Sequence, residues 1–156
     1  MAEISLTRGL VAMVDDDDYA RLAAIKWHAT SLGYAQGYLP GGSDGAPIRI
    51  RMHRYVLGLS NDDPREVDHI DGDRLNNCRS NLRVCSRAEN CRNMGLTARN
   101  TTGLKGIYLD KRRNRWRARI HIDGRDISLG YHSTAEAAYA AYCEAAKQHF
   151  GEFARI

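Results

Sequence analysis

The sequence lacks several features that assign a chain to a familiar class. Its four cysteines contain no Cys-x-x-Cys pair, so we expect reduced thiols rather than a zinc site at Cys78, Cys85, Cys91 and Cys143. No apolar run approaches the roughly 20 residues that cross a membrane. No signal peptide follows Met1. These absences predict a protein of the reducing cytoplasm with no membrane partner.

A strong excess of one charge is also missing from most of the chain. The 156 residues are 43% hydrophobic and 27% charged with a net charge of +4, which is typical of one ordinary globular domain or two small ones. Basic residues concentrate only between Lys105 and Arg125, where 8 stand against 2 acidic residues. A charge run alone favours a solvated face, and a polyanion-binding surface is the alternative.

The first 60 residues predict a small framework of strands and short helices. Apolar stretches between Ile4 and Val14 indicate a strand pair, and the aspartates of 15–18 indicate the start of a helix. A calcium loop is excluded, because Ala20 and Lys26 stand where it needs Gly and Glu. Further strands are expected at 26–30, 34–39 and 48–52, with loop residues at 40–45. His53 is interpreted as a packed histidine in a short helix that Gly58 ends.

Residues 67–90 carry the most informative pattern. Val67–Ile70 and Leu82–Cys85 read as two short strands, and Asp71-Gly72-Asp73 reads as a turn. Ser86 and Glu89 form a capping box, so a helix is expected to begin at Arg87. The order strand, loop, strand, helix gathers a carboxylate, an imidazole and two amides within a short segment.

These side chains suit hydrolysis of a phosphodiester. The oxygens of Asp68 and Asn90 are ligands that Mg²⁺ accepts, with Mn²⁺ as a substitute. The neutral imidazole of His69 can take a proton from water, because its ordinary pKa lies near neutrality. One metal ion and one base are sufficient for this chemistry.

At these residues the segment resembles the HNH endonuclease family in its ββα-metal form. The resemblance implies that Asp68 and Asn90 bind the metal, that His69 is the general base and that Asn81 fixes the hairpin and positions the histidine or the phosphate. An Asn replaces the last histidine of the family name, as in an H-N-N branch common among phage and intron-borne nicking enzymes. Asn77 and Arg83 also fit the family pattern, without a role assigned from the sequence.

The C-terminal third predicts a sheet with one cationic face. Trp116, Ala118, Ile120 and Ile122 alternate with basic residues, so they form an apolar face that Ile127 and Leu129 continue. Asp123-Gly124 indicates a hairpin turn. Ser133 and Glu136 read as a second capping box before an alanine-rich helix that runs from Thr134 to about Phe150. The basic side chains of the other face and its flanks are Lys105, Arg113, Arg115, Arg117, Arg119 and His121.

This layout resembles the APETALA2/ethylene-response-factor DNA-binding domain from Thr102 to Phe150. The resemblance implies that the sheet enters the major groove of double-stranded DNA and that its outward side chains contact bases and phosphates. Asp126 and Ser128 occupy outward positions where plant members often have Arg and Trp, which puts sequence specificity in question. Trp116 is interpreted as core rather than as a stacking platform.

Together the two resemblances predict an α+β protein: a ββα-metal nuclease module with N-terminal antiparallel strands, then a three-stranded antiparallel sheet packed on one α-helix. The predicted divisions are 1–94, a linker at 95–104, and 105–156. The predicted function is a metal-dependent DNA endonuclease in a bacterial or phage-infected host cell. A non-catalytic DNA-binding regulator that retains the HNH scaffold is the alternative. RNA binding is disfavoured, because no aromatic row accompanies the arginines. The sequence leaves the oligomeric state open.

Overall fold

In a computed structural model, which describes residues 1–41 and 45–156, the chain begins with the predicted strand pair. Strands β1 (Ala2–Ser5) and β2 (Val11–Val14) are antiparallel, and a 3-10 turn at Thr7–Gly9 joins them. Helix α1 (Asp16–Ala23) follows, with three aspartates in its first turn. The helix-start interpretation of the aspartate run is therefore confirmed.

A three-stranded antiparallel sheet comes next. Its strands are β3 (His28–Ala29), β4 (Ala35–Leu39) and β5 (Ile48–Arg51), in that spatial order. Residues 42–44 of the predicted loop lie outside the described residues. Helix α2 (Met52–Val56) follows β5 directly, and Gly58 after it has the positive φ of 72° that ends the turn.

The segment predicted to carry the chemistry has the expected order of elements. Strand β6 (Glu66–His69) pairs antiparallel with β7 (Leu82–Cys85), and helix α3 (Arg87–Asn93) begins after Ser86. The long loop between β6 and β7 is fastened to β2, because Met13 donates its backbone N–H to the Leu75 carbonyl and accepts from Asn77.

A buried acid connects α1 to the turn that precedes β7. Asp18 is 3% exposed and forms ion pairs with Arg21 and with Arg79, whose Nε lies 2.8 Å from Asp18 Oδ2. The hydrogen bond from Arg79 is the main reason that the pKa of Asp18 is lowered. The aspartates thus do more than start a helix, since they fix the turn on which Asn81 lies.

The described part of the chain divides into two compact units, residues 1–90 and 91–156. The first unit has its own apolar core, whose most buried large side chains are Val14, Leu22, Met52 and Val56. The predicted limits of 94 and 105 stay predictions. No helix in the described ranges combines the length and the apolar character needed to cross a membrane.

The second unit is a three-stranded antiparallel sheet packed on one helix. Its elements are β8 (Ile107–Asp110), β9 (Arg115–Ile122), β10 (Arg125–His132) and α4 (Ala135–Phe150), with β9 central. Asp123 and Gly124 have positive φ angles of 47° and 80°, as the predicted tight hairpin turn requires. The chain as a whole is therefore a mixed α+β protein with antiparallel sheets.

The core of the second unit lies between the sheet and α4. Ala118 and Ala138 are fully buried and Ile120 nearly so, while Trp116 is half-buried against this cluster, so the core interpretation of Trp116 holds. Small alanines on both sides let the helix lie close to the sheet. Ile127 differs from the expectation, because it remains 42% exposed on the edge strand β10 although it pairs with Ile120.

The predicted capping box at the start of α4 is wrong by one residue. The N-cap is Thr134, whose hydroxyl oxygen accepts a hydrogen bond from the Ala137 backbone N–H at 3.2 Å. Thr134 has the extended conformation of an N-cap residue. A hydroxyl at either position can cap a helix, so the neighbouring Ser and Thr made the sequence pattern ambiguous.

Candidate functional site

The β6–β7 hairpin positions the residues predicted to carry the chemistry. In the antiparallel register Asp68 lies opposite Arg83, and His69 lies opposite Leu82. Consecutive residues of a strand point to opposite faces, so Asp68 and His69 project to different sides of the hairpin, whereas Glu66 and Asp68 share one side. Two chemically different surfaces therefore meet at the end of β6.

Asp68 forms a largely buried ion pair. Its Oδ2 accepts hydrogen bonds from Arg83 Nε at 2.9 Å and Nη2 at 2.7 Å, and the Asp68 and Arg83 side chains are only 6% and 12% exposed. A buried charge is costly without a partner. Arg83, which had no assigned role, thus balances the charge of the predicted metal ligand.

Asn90 reaches the same face of the hairpin from α3. The helix begins with the predicted capping box: Ser86 Oγ accepts from the Glu89 backbone N–H, and the Glu89 carboxylate accepts from Ser86. One turn later, Asn90 Nδ2 donates to Glu66 Oε2 at 2.5 Å. Sequence reasoning missed Glu66, although its position two residues before Asp68 places it on the same face.

This face has the donor set for a hard divalent cation. It offers the Asp68 and Glu66 carboxylates and the Asn90 amide oxygen, which the hydrogen bond to Glu66 leaves available. The guanidinium on Asp68 shows that the position accommodates positive charge. Across 1–41 and 45–156, no three His, Cys, Asp or Glu side chains are arranged to hold a metal ion. Asp68 and Asn90 supply oxygen donors of the chemical kind that Mg²⁺ accepts.

His69 lies in an aromatic and apolar environment. It is 5% exposed, and its ring centroid lies 5.1 Å from that of His53 and 6.1 Å from that of Tyr34. Burial lowers the pKa of His69, while the nearby Asn77 side chain and the charge of Asp71 act in the opposite direction. The imidazole is therefore neutral at neutral pH and able to accept a proton.

His53 is the packed histidine that the sequence predicted. It is 4% exposed, and burial, followed by the repulsion that would arise if the neighbouring His69 were also protonated, lowers its pKa from 6.5 to about 3. Its Nδ1 has no hydrogen-bond partner within the described residues. His53 is consequently an uncharged neighbour of His69 at any pH near neutrality.

Asn81 holds the loop that joins β6 to β7. Its Oδ1 accepts from the Asp71 backbone N–H at 3.1 Å, and its Nδ2 donates to Asp71 Oδ1 and to the Asn76 carbonyl, both at 2.9 Å. The Asn76 side chain also donates to the Asp71 carboxylate. This network fixes the loop that follows His69.

In the second unit, the predicted basic row lies on the face of β9 opposite the helix. Arg115, Arg119 and His121 are exposed, and Arg117 is half-buried. Tyr108 and Tyr131 pair with Arg117 from the neighbouring strands, so they share this face. Arg117 Nη1 donates to the Tyr108 hydroxyl at 2.9 Å, and the Arg113 guanidinium lies 4.6 Å from the Tyr131 ring centroid.

The two tyrosines correct the sequence-based expectation that no aromatic side chains accompany the arginines. Aromatic rings do accompany the arginines, because Tyr108 and Tyr131 come from the strands on either side rather than from β9 itself. A scan for alternation within one strand does not detect them. Cross-strand pairing of the predicted hairpins was the signal that could have found them.

Two further residues, Asp126 and Lys105, make this surface differ from the uninterrupted basic row that the sequence predicts. Asp126 lies within the face and accepts from Arg119 Nη1 at 2.9 Å, with His121 Nδ1 also 2.9 Å away. Lys105 is not presented with the arginines, because its ammonium donates to the carbonyls of Arg92 and Arg155. The structure thus brings together the β9 row and Arg113, and leaves Lys105 in main-chain hydrogen bonds.

Comparisons with known proteins agree with these two sites. Residues 34–92 match the family model described as HNH endonuclease, and residues 102–152 match the AP2 domain. "Uncharacterized HNH endonuclease L560" of Acanthamoeba polyphaga mimivirus is 30% identical over 151 residues, which cover 94% of this chain and 74% of that protein. "Protein 3.8" of Escherichia phage T7 is 36% identical over 90 residues, covering 58% of this chain and 74% of the phage protein. No solved structure matches.

Proposed function

Because the chain belongs to the HNH endonuclease family and carries a C-terminal AP2 domain, we propose that it is a metal-dependent endonuclease that hydrolyses phosphodiester bonds of duplex DNA. The single observation that carries the proposal is the adjacency of Asp68 and His69 at the end of β6. An oxygen donor and a buried, neutral imidazole are consecutive residues there.

Asp68 and Asn90 are the proposed metal ligands, with Glu66 orienting the amide of Asn90. A bound Mg²⁺ or Mn²⁺ would offset negative charge on the scissile phosphate and on the leaving oxygen. Arg83 holds the Asp68 carboxylate in place through the buried ion pair. This donor arrangement supports the ββα-metal form of the family.

His69 is the proposed general base. Burial lowers the pKa of the His69 ring, so the ring is in the neutral form that accepts a proton from the attacking water. Asn81 holds the adjoining loop through its hydrogen bonds with Asp71. Asn81 therefore acts as a positioning residue in this proposal.

The basic face of β9 is the proposed duplex-binding surface. Arg115, Arg117 and Arg119 offer planar donors for phosphates and guanine edges, and Arg113 extends the row. Asp126 already occupies Arg119 and His121. Part of the row must therefore exchange an internal partner for DNA.

The test is incubation of the full chain with supercoiled plasmid and Mg²⁺, followed by gel electrophoresis. Nicked or linear product is expected with Mg²⁺ or Mn²⁺ and none with EDTA. His69→Ala should lower cleavage by about 100-fold or more, the usual contribution of a general base, with DNA affinity retained. His149→Ala, an exposed histidine of α4, is the matched control. Binding without cleavage by the wild type would favour the non-catalytic regulator instead.

A further inference from the structure

Tyr34 connects the proposed base to a pair of cationic side chains. It lies just before β4, and its ring contacts both His69 and His53, with the His53 centroid 5.2 Å away. The Arg51 Cζ lies 4.9 Å from the Tyr34 ring centroid, and the Arg74 Cζ lies 4.8 Å from it. Arg51 ends β5 and Arg74 lies in the β6–β7 loop, so three separate segments meet at this ring.

Both guanidinium groups are available to a ligand. Arg51 and Arg74 are exposed, and neither forms an ion pair with a carboxylate in the part of the chain that the structure describes. Arg74 donates one N–H to the Leu32 carbonyl, and a guanidinium has five N–H groups, so four remain for a ligand. The two cations are held near one ring by attraction to its π face, although they repel each other. A bound anion would offset the positive charge of both groups.

A DNA phosphate that approaches His69 meets negatively charged side chains. The carboxylates of Asp71, Asp68 and Asp73 act on His69 and would repel a phosphate. Arg51 and Arg74 lie on the ring that contacts this imidazole, and they bring positive charge to that side of the site. Guanidinium groups also bind phosphate oxygens through paired, planar N–H donors.

We propose that Arg51, Tyr34 and Arg74 form a phosphate clamp that binds the DNA backbone at the cleavage position and orients it towards His69. This inference rests on the proposed nuclease function. The ring of Tyr34 contacts His69 and carries both guanidinium groups, so it connects the clamp to the base. The arginines are positioning residues for the phosphate, separate from the duplex-binding face of β9.

The test is a salt titration of DNA binding by the full chain in EDTA, in which no cleavage occurs. Arg51→Gln and Arg74→Gln should each lower the slope of log affinity against log salt by about one unit, since each removes one phosphate contact. Lys26→Gln removes the same charge from an exposed position in a separate groove of the first unit and should leave the slope unchanged. Circular dichroism establishes that each variant is folded.

Wild-type slopes in the two folded arginine variants would overturn the clamp. If either variant unfolds, Arg51→Lys and Arg74→Lys keep the charge but lose the planar fork. These two lysine variants should keep the wild-type salt slope but lower the rate of single-turnover cleavage at least tenfold. If both cleave at the wild-type rate, the clamp is overturned as well. A wild-type chain that binds DNA and never cuts it would remove the nuclease proposal, while the slopes would still decide whether Arg51 and Arg74 contact phosphate.

Discussion

Acidification should destabilise the first unit through His53. A histidine whose folded pKa is depressed binds its proton mainly in the unfolded state, so the free energy of unfolding falls as pH drops below the unfolded value of 6.5 and continues to fall until about pH 3. With those two pKa values, the loss between about pH 7.5 and pH 5 is about 2 kcal/mol. His69, whose pKa burial also lowers, adds to the loss in the same direction.

The change in stability over this pH range reports mainly on histidines, because carboxylates such as Asp18, whose pKa lies below its usual range, stay ionised at pH 5. Urea unfolding can be followed by the fluorescence of Trp27, which is buried in the first unit, in a Trp116→Phe background. His53→Phe keeps a ring in the pocket and removes the titration. Its stability should fall by about 2 kcal/mol less than that of the wild type over the same pH range. An equal fall in both proteins would refute the assignment to His53.

Three further substitutions test other parts of the structure. Asp126→Asn should raise DNA affinity and increase the salt slope by up to about one unit, because it releases the arginine and histidine of β9; an unchanged titration would contradict this. Asn81→Ala removes three hydrogen bonds and should lower stability by roughly 2–3 kcal/mol in urea unfolding, with a smaller effect indicating a loop held by other contacts. Gly106→Ala would place a methyl 2.1 Å from the Tyr142 ring and should lower the melting temperature of the second unit much more than Gly103→Ala, which shares the positive φ but meets no atom within 4 Å.

Local patterns carried most of the correct sequence predictions. The alternation of 115–122, the Asp123-Gly124 turn and the Ser86–Glu89 capping box each depend on residues a few positions apart, and the structure confirms all three. The same reasoning grouped Asp68, His69, Asn81 and Asn90 in one hairpin and helix. Their catalytic and metal-binding roles stay predictions that the experiments above test.

Partners from distant segments could not be predicted in this way. The contact of Tyr34 with His69 joins the residue before β4 to the end of β6, and Asp18 meets Arg79 because α1 lies beside the turn before β7. The spacing of these residues along the sequence does not predict either contact. Ile127 was predicted to continue the apolar face, but it remains exposed on the edge strand. Alternation assigns a residue to a face of the sheet and does not show whether that position is covered.

The two hydrophobic cores share no residue among those described, since one draws on residues 2–82 and the other on residues 104–154. Each unit can therefore lose its structure while the other keeps its own. A molecule whose first unit has melted would still carry a folded, cationic sheet. Under the proposed function, such molecules would still bind DNA after heat or acid stress and would cover sites that intact copies cut. Molecules that have lost the structure of the first unit would thus compete for DNA with the molecules that are still intact.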